Sequence, residues 1–137
     1  MHSTSMQQTT LQQEMAKLQY NQDGLIPAIA QQHDTGEVLM MAWMNASSIK
    51  ETLETKRVCY WSRSRQKYWR KGEESGEIQT LKEMRFDCDN DTILLIVDQV
   101  GPACHTGRKT CFYKLVQNDD VIVDSEPLID PKELYGK

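Results

Sequence analysis

The segment from Ile78 to Val100 constrains the fold more than any other. It opens with strand-type alternation, turns at Asp89-Asn90-Asp91, and resumes as the apolar run ILLIV before Gly101-Pro102 breaks it. A short branched apolar run between turn signals reads as a buried strand. Other segments supply partners for it. Residues 25–33 (LIPAIAQQH) and 37–43 (EVLMMAW) read as two strands joined by Asp34-Thr35-Gly36, where Gly36 can take a positive φ. Residues 58–62 form a β-type run with aromatics, and 111–116 and 121–123 read as closing strands. One clear helix follows Asn45, a good N-cap, over ASSIKETLETK, with Ser48 and Glu51 spaced for a capping box. Residues 72–77 and 103–110 read as loops, and no internal repeat is visible. The sequence therefore predicts a mainly β domain with short helices.

Residues 1–22 are polar and Gln-rich, with a helical turn or two expected within Leu11–Tyr20. They are read as an N-terminal arm, and 23–137 as a single domain. Apolar residues make up 39% of the 137, enough for a real core. The net charge of −4 argues against a general nucleic-acid coat protein. No apolar run is long enough to span a membrane, and the N-terminus lacks the pattern of a secretory signal, so a cytoplasmic location is expected.

The four cysteines are Cys59, Cys88, Cys104 and Cys111. In a reducing compartment they are buried thiols, metal ligands or catalysts more often than disulfides. The spacing of Cys88, Cys104 and Cys111 is not the paired C-x-x-C of a zinc finger. Their setting is polar, however. Cys104 and Cys111 bracket HTGRKT, and Cys88 sits between two aspartates. Three thiolates on zinc would leave a fourth position for water, whose pKa zinc lowers to about 7. A closed structural site with His105 or Cys59 as fourth ligand is the competing reading. Cys59, in a strand-like stretch, is taken as a spectator.

Asp87, Asp89 and Asp91 alternate with Cys88 and Asn90. On extended backbone the three carboxylates would share one face and Cys88 would point away. Carboxylates so close repel unless a hard cation such as Mg²⁺ neutralises them. An EF-hand also opens D-x-D-x-D, but here position six is Thr92 and a strand follows, so that reading fails. A solvated acidic turn is the plain alternative. Residues 60–71, YWSRSRQKYWRK, interleave Arg63, Arg65, Lys67, Arg70 and Lys71 with Tyr60, Trp61, Tyr68 and Trp69. Cations suit phosphate and aromatics suit stacking on a base. The same stretch fits a solvated strand edge or a single-strand nucleic-acid surface.

Together these segments resemble the phosphoribosyl-AMP cyclohydrolase family. The matching text is GLIPAIAQ, TGEVLMMAWMN, YWSRSR, W-x-KGEESG followed by Gln79, DCDND and GPACHTGRKTCF. The combination of HTGR-x-x-CF with DCD-x-D is highly specific. The resemblance implies that Cys88, Cys104 and Cys111 bind catalytic zinc and that Asp87, Asp89 and Asp91 hold Mg²⁺. It implies a β-rich pseudobarrel capped by helices, formed in an intertwined homodimer whose zinc site is shared between subunits. Glu77 stands where many members have His, and Tyr68 where Leu is common. The chain leaves little room after Phe112 for a fused pyrophosphatase domain, so a monofunctional form is expected.

The reaction the resemblance implies is hydrolytic opening of the adenine ring of 1-(5-phosphoribosyl)-AMP in histidine biosynthesis. The second phosphoribosyl group makes the purine electrophilic at the adjacent amine-bearing carbon. His105 is the candidate catalytic proton shuttle, because imidazole titrates near neutral pH. Arg63, Arg65, Lys71 and Arg108 are candidates for the phosphates, and Trp61 or Trp69 for stacking on the purine. A zinc-stabilised RNA-binding module and a redox-sensing thiol protein are the alternatives, and neither explains HTGRKTC. No nucleic-acid or membrane partner is expected.

Overall fold

The computed structural model of the chain describes residues 9–130. Its centre is a six-stranded sheet made of β1 (Ile26–Gln32), β2 (Val38–Met44), β3 (Cys59–Ser62), β4 (Lys67–Arg70), β5 (Gln79–Phe86) and β6 (Ile93–Gln99). The strand order is β4-β3-β2-β1-β6-β5. Neighbours are antiparallel except β1 and β6, which run parallel. Helices are short: α1 covers Thr10–Met15 and α2 Ala46–Thr55. The chain is thus mainly β, and its sheet suits a pseudobarrel.

Alternation sets the core. Ile26, Ala28 and Ala30 of β1 and Ile93, Leu95 and Val97 of β6 are buried on one face. The small alanines sit beside the large side chains of β6, with Ala28 opposite Ile93 and Ala30 opposite Leu95. Each buried aliphatic side chain stabilises the fold by about 1.5–3 kcal/mol. Ile49 of α2, Tyr60 of β3 and Leu18 join this cluster, and Leu18 brings the segment after α1 into it. On the other face, Ile29, Leu94, Ile96 and Trp43 are only half-buried, and Met41 is 45% exposed. ILLIV therefore has one sealed face and one half-covered face.

The β1–β2 hairpin turns as expected, with Gly36 at φ 79° donating its N–H to Gln32 O at 2.9 Å. Asn45 caps α2, but the capping box differs from the expected pair. Asn45 Oδ1 accepts from Ser48 N (2.8 Å) and Ser48 Oγ accepts from Asn45 N (2.9 Å). Glu51 is drawn instead to Arg70, which donates to both carboxylate oxygens at 2.8 and 2.9 Å. A second correction concerns the C-terminal strands. Residues 111–113 are not strand, and β7 (Lys114–Gln117) pairs only with β8 (Asp120–Val123) as a separate exposed hairpin. It does not close the main sheet. No helix among the described residues is long and apolar enough to cross a membrane.

Candidate active site

Because β1 and β6 run in parallel, the sheet has two distinct ends. Their starts lie together with the β2 end, Ile26 being opposite Met44. At this end the chain turns between β5 and β6, and the three aspartates meet. Ligand oxygens of Asp87, Asp89 and Asp91 lie within 4.8 Å of one another. The reason is a turn, not the extended backbone that the alternation suggested. Asn90 takes φ 61° and donates to Asp87 O (3.1 Å), while Asp87 Oδ1 accepts from Asp91 N (2.9 Å) and Thr92 N (3.1 Å). Slight burial pushes the Asp87 carboxyl up, but hydrogen bonds from Asp91 and Thr92 outweigh it and hold it below the usual range. Hydrogen bonding to Asp87 and Asp89 raises Asp91. Three carboxylates this close repel one another, and a hard cation would relieve that repulsion. Cys88 is exposed on the same turn.

At the other end, beyond Gln99, the chain folds back through the loop carrying Cys104 and Cys111. Cys104 is buried, its N–H donating to Arg108 O (3.1 Å), and Thr106 Oγ1 donates to its sulfur at 3.1 Å. Cys111 N donates to Leu39 O (2.7 Å), which ties the loop to β2. The residue is exposed as a whole, but its thiol is desolvated beside that of Cys104. Burial first, then that neighbour, push its pKa up to about 12. Two adjacent thiols with a hydroxyl donating to one sulfur suit a thiophilic metal, which would displace their protons on binding. They supply two ligands of the expected three. Cys88 is separated from them by the length of β6, about 20 Å at the usual strand rise. Among the described residues, the aspartates are the only group of three such side chains close enough to share an ion.

The other candidates divide between these ends. His105 is exposed in the thiol loop. Lys71 is buried, and its electrostatic neighbours are Cys111, Glu77 and Cys104. Arg63 and Arg65 are exposed in the β3–β4 turn. Arg63 stacks over Trp43 at 4.8 Å and lines an open groove of about 590 Å³ with Trp61 and Trp69. It also lines a smaller one of about 360 Å³ shared with Asp23 and Asn45, near the start of β1. Arg108 donates from Nε to Ser125 O (2.9 Å) and lies 4.2 Å over the Tyr113 ring. Cys59 is fully buried. Its N–H donates to Thr52 Oγ1 at 2.9 Å, and burial raises its thiol to about 12.

The sequence reading missed a polar chain beneath the thiols. Tyr60 OH donates to Gln79 Oε1 (2.7 Å), Gln79 Nε2 to Gln99 Oε1 (2.9 Å), and Gln99 Nε2 to Glu77 O (3.0 Å). Burial drives the Tyr60 phenol well above its usual range. A Gln at a core-facing position of β5 was the available signal. Buried amides persist when their hydrogen bonds are satisfied, and here they fix the 77–79 segment against β6.

Comparison with known proteins bears on the whole constellation. Residues 40–113 match the family model described as phosphoribosyl-AMP cyclohydrolase. A phosphoribosyl-AMP cyclohydrolase of Hydrogenovibrio crunogenus is 65% identical over 121 residues, covering 88% of this chain and 82% of that protein. One from Magnetococcus marinus is 63% identical over 124 residues, covering 90% and 96%. One from Chromohalobacter salexigens is 66% identical over 118 residues, covering 86% and 81%. The matched span holds the acid turn, the basic hairpin and both loop thiols, and with identity this high over most of its length the chain belongs to the phosphoribosyl-AMP cyclohydrolase family, hydrolases of histidine biosynthesis.

Proposed function

We propose that this cyclohydrolase is zinc-dependent, that zinc is held by Cys104 and Cys111 of one chain with Cys88 of a second, and that Asp87, Asp89 and Asp91 hold Mg²⁺. The observation that carries the reading is the position of the thiols. Cys104 and Cys111 are neighbours, while Cys88 stands at the far end of the sheet. Two copies packed antiparallel about a two-fold axis would bring the acid end of each to the thiol end of the other. The half-covered face of Ile29, Met41, Leu94 and Ile96 offers apolar surface for that packing.

When bound, zinc supplies a water activated as a nucleophile at neutral pH. The chain's own residues bind and orient the substrate. Arg63 and Arg65 reach for phosphate, and Trp61 and Trp69 border the groove where a purine would stack. Water adds to the amine-bearing carbon, the bond from that carbon to the substituted ring nitrogen breaks, and the carbon becomes a carboxamide. One proton of the water ends on the released nitrogen. His105, exposed beside Cys104, is the side chain that carries it.

The test is the absorbance change on mixing purified protein with 1-(5-phosphoribosyl)-AMP. Ring opening should be lost with a zinc chelator and return with added zinc. Undiminished turnover by fully zinc-depleted protein would refute the zinc reading.

A further inference from the structure

We propose that Trp43 is a positioning residue for Arg63, its indole holding the guanidinium at the groove with the N–H donors free for a phosphate. The inference rests on the phosphate reading of Arg63 above and names what makes that side chain ready.

The cations of the β3–β4 hairpin are engaged differently. Arg70 donates to both carboxylate oxygens of Glu51, and Lys71 is buried. Arg65 has neither an aromatic ring beneath it nor an ion pair among the described residues. Arg63 is exposed, and its Cζ lies 4.8 Å from the centre of the Trp43 ring. Among the described residues no carboxylate pairs with it. A guanidinium held over a ring face keeps its in-plane N–H fork for another partner. The backbone beneath it is fixed as well. Gln66, at φ 54°, donates its N–H to Ser62 O (2.9 Å) and its Nε2 to Arg63 O (2.7 Å).

The platform is braced in turn. Trp43 of β2 stands opposite Trp61 of β3, where directly opposed side chains pack together. Trp61 meets Tyr68 edge-on, with ring centres 5.1 Å apart. Trp43 and Arg63 both line the groove of about 590 Å³, and Arg63 also lines the one of about 360 Å³. An unheld arginine loses rotamer freedom when it grips a ligand. A ring that already holds it removes part of that loss before the phosphate arrives.

The test is a double-mutant cycle read in steady-state kinetics with 1-(5-phosphoribosyl)-AMP. Trp43→Leu should raise KM about three- to tenfold, the range for a lost cation–π contact at a partly exposed site. kcat should stay within about twofold, because a phosphate grip holds ground state and transition state alike. Trp43→Phe keeps a ring face and should fall between. In an Arg63→Gln background, Trp43→Leu should change KM by less than about twofold, since its effect passes through Arg63. Equal effects in both backgrounds overturn the proposal and give Trp43 a direct contact with the purine or a purely structural role. An unchanged KM in Trp43→Leu overturns it as well. If Trp43→Leu does not fold, fluorinated tryptophans placed at position 43 keep the shape while drawing electron density from the ring face. KM should then climb with each added fluorine in the unaltered enzyme and stay flat beside Arg63→Gln. The same response in both backgrounds, flat or rising, overturns the proposal. If Arg63→Gln itself leaves KM unchanged, the phosphate reading of Arg63 has failed and the proposal falls with it, an outcome distinct from equal effects.

Discussion

The acid end and the thiol end of the sheet are built in opposite ways. The acid end is local. Its three carboxylates come from residues 87–91, one turn holds them, and all three aspartates are exposed. The thiol end is assembled from β2, the residue after β4, the start of β5 and the loop after β6, and Cys104 and Lys71 are buried within it. A local, wet site can lose a member without disturbing its scaffold. A buried, long-range site couples every member to the fold. The proposed zinc site would take two thiols from the thiol end of one chain and the third from the acid end of another.

The sharpest way to break this comparison is to mix two inactive variants, Cys88→Ser and Cys111→Ser, under conditions of subunit exchange. If the ends of two chains make one site, each heterodimer collects both defects in one site and leaves the other intact. Activity should rise from the assay floor to as much as half the sites in such heterodimers. Exchange without recovery, with mixing verified by mass spectrometry, would place every site within one chain. A middle-sized effect is expected from Asp89→Asn. Metal dependence at the acid end should weaken by about 10–100-fold in Mg²⁺ concentration, with bound zinc retained. Zinc lost in parallel, read by metal analysis, would mean the two ends share one ion.

The smallest effect belongs to neither end. Glu51→Gln breaks the two-toothed pair with Arg70, whose partners are partly exposed, so denaturation should show a loss of at most about 1 kcal/mol. The hydrogen bonds from Arg70 hold the Glu51 carboxyl below its usual range. Its contribution is therefore present above the unfolded-state pKa and lost as pH falls through the lower folded one. The difference between Glu51→Gln and the unaltered chain should shrink in that acidic window.

These contrasts also explain what the sequence made legible. Asp87, Asp89 and Asp91 announce themselves because their proximity is encoded in nearby residues, although the turn that gathers them starts at Asp87, earlier than the predicted turn at Asp89-Asn90-Asp91. The hairpin at Gly36 and the cap at Asn45 were readable for the same local reason. Lys71 was not. In the string YWSRSRQKYWRK it is one cation among five, and only its burial separates it from Arg63 and Arg65. Ser48 and Glu51 had capping-box spacing, but Arg70, far along the chain, took the carboxylate. The β7–β8 hairpin alternates like a core strand, yet nothing in its alternation says which sheet it joins.

The parallel pairing of β1 with β6 has a consequence for how the chain is made. Ala28 finds Ile93 only after β2 to β5 have been synthesised between them, so the central seam depends on contacts remote in sequence. Such contacts form slowly, since loop closure comes before any reward. Until β6 emerges, β1 carries an open edge, and Cys104 and Cys111 follow later still. A site built on these two thiols is accordingly the last part of the subunit to form, gated by completion of the chain and not by the early appearance of its acidic turn.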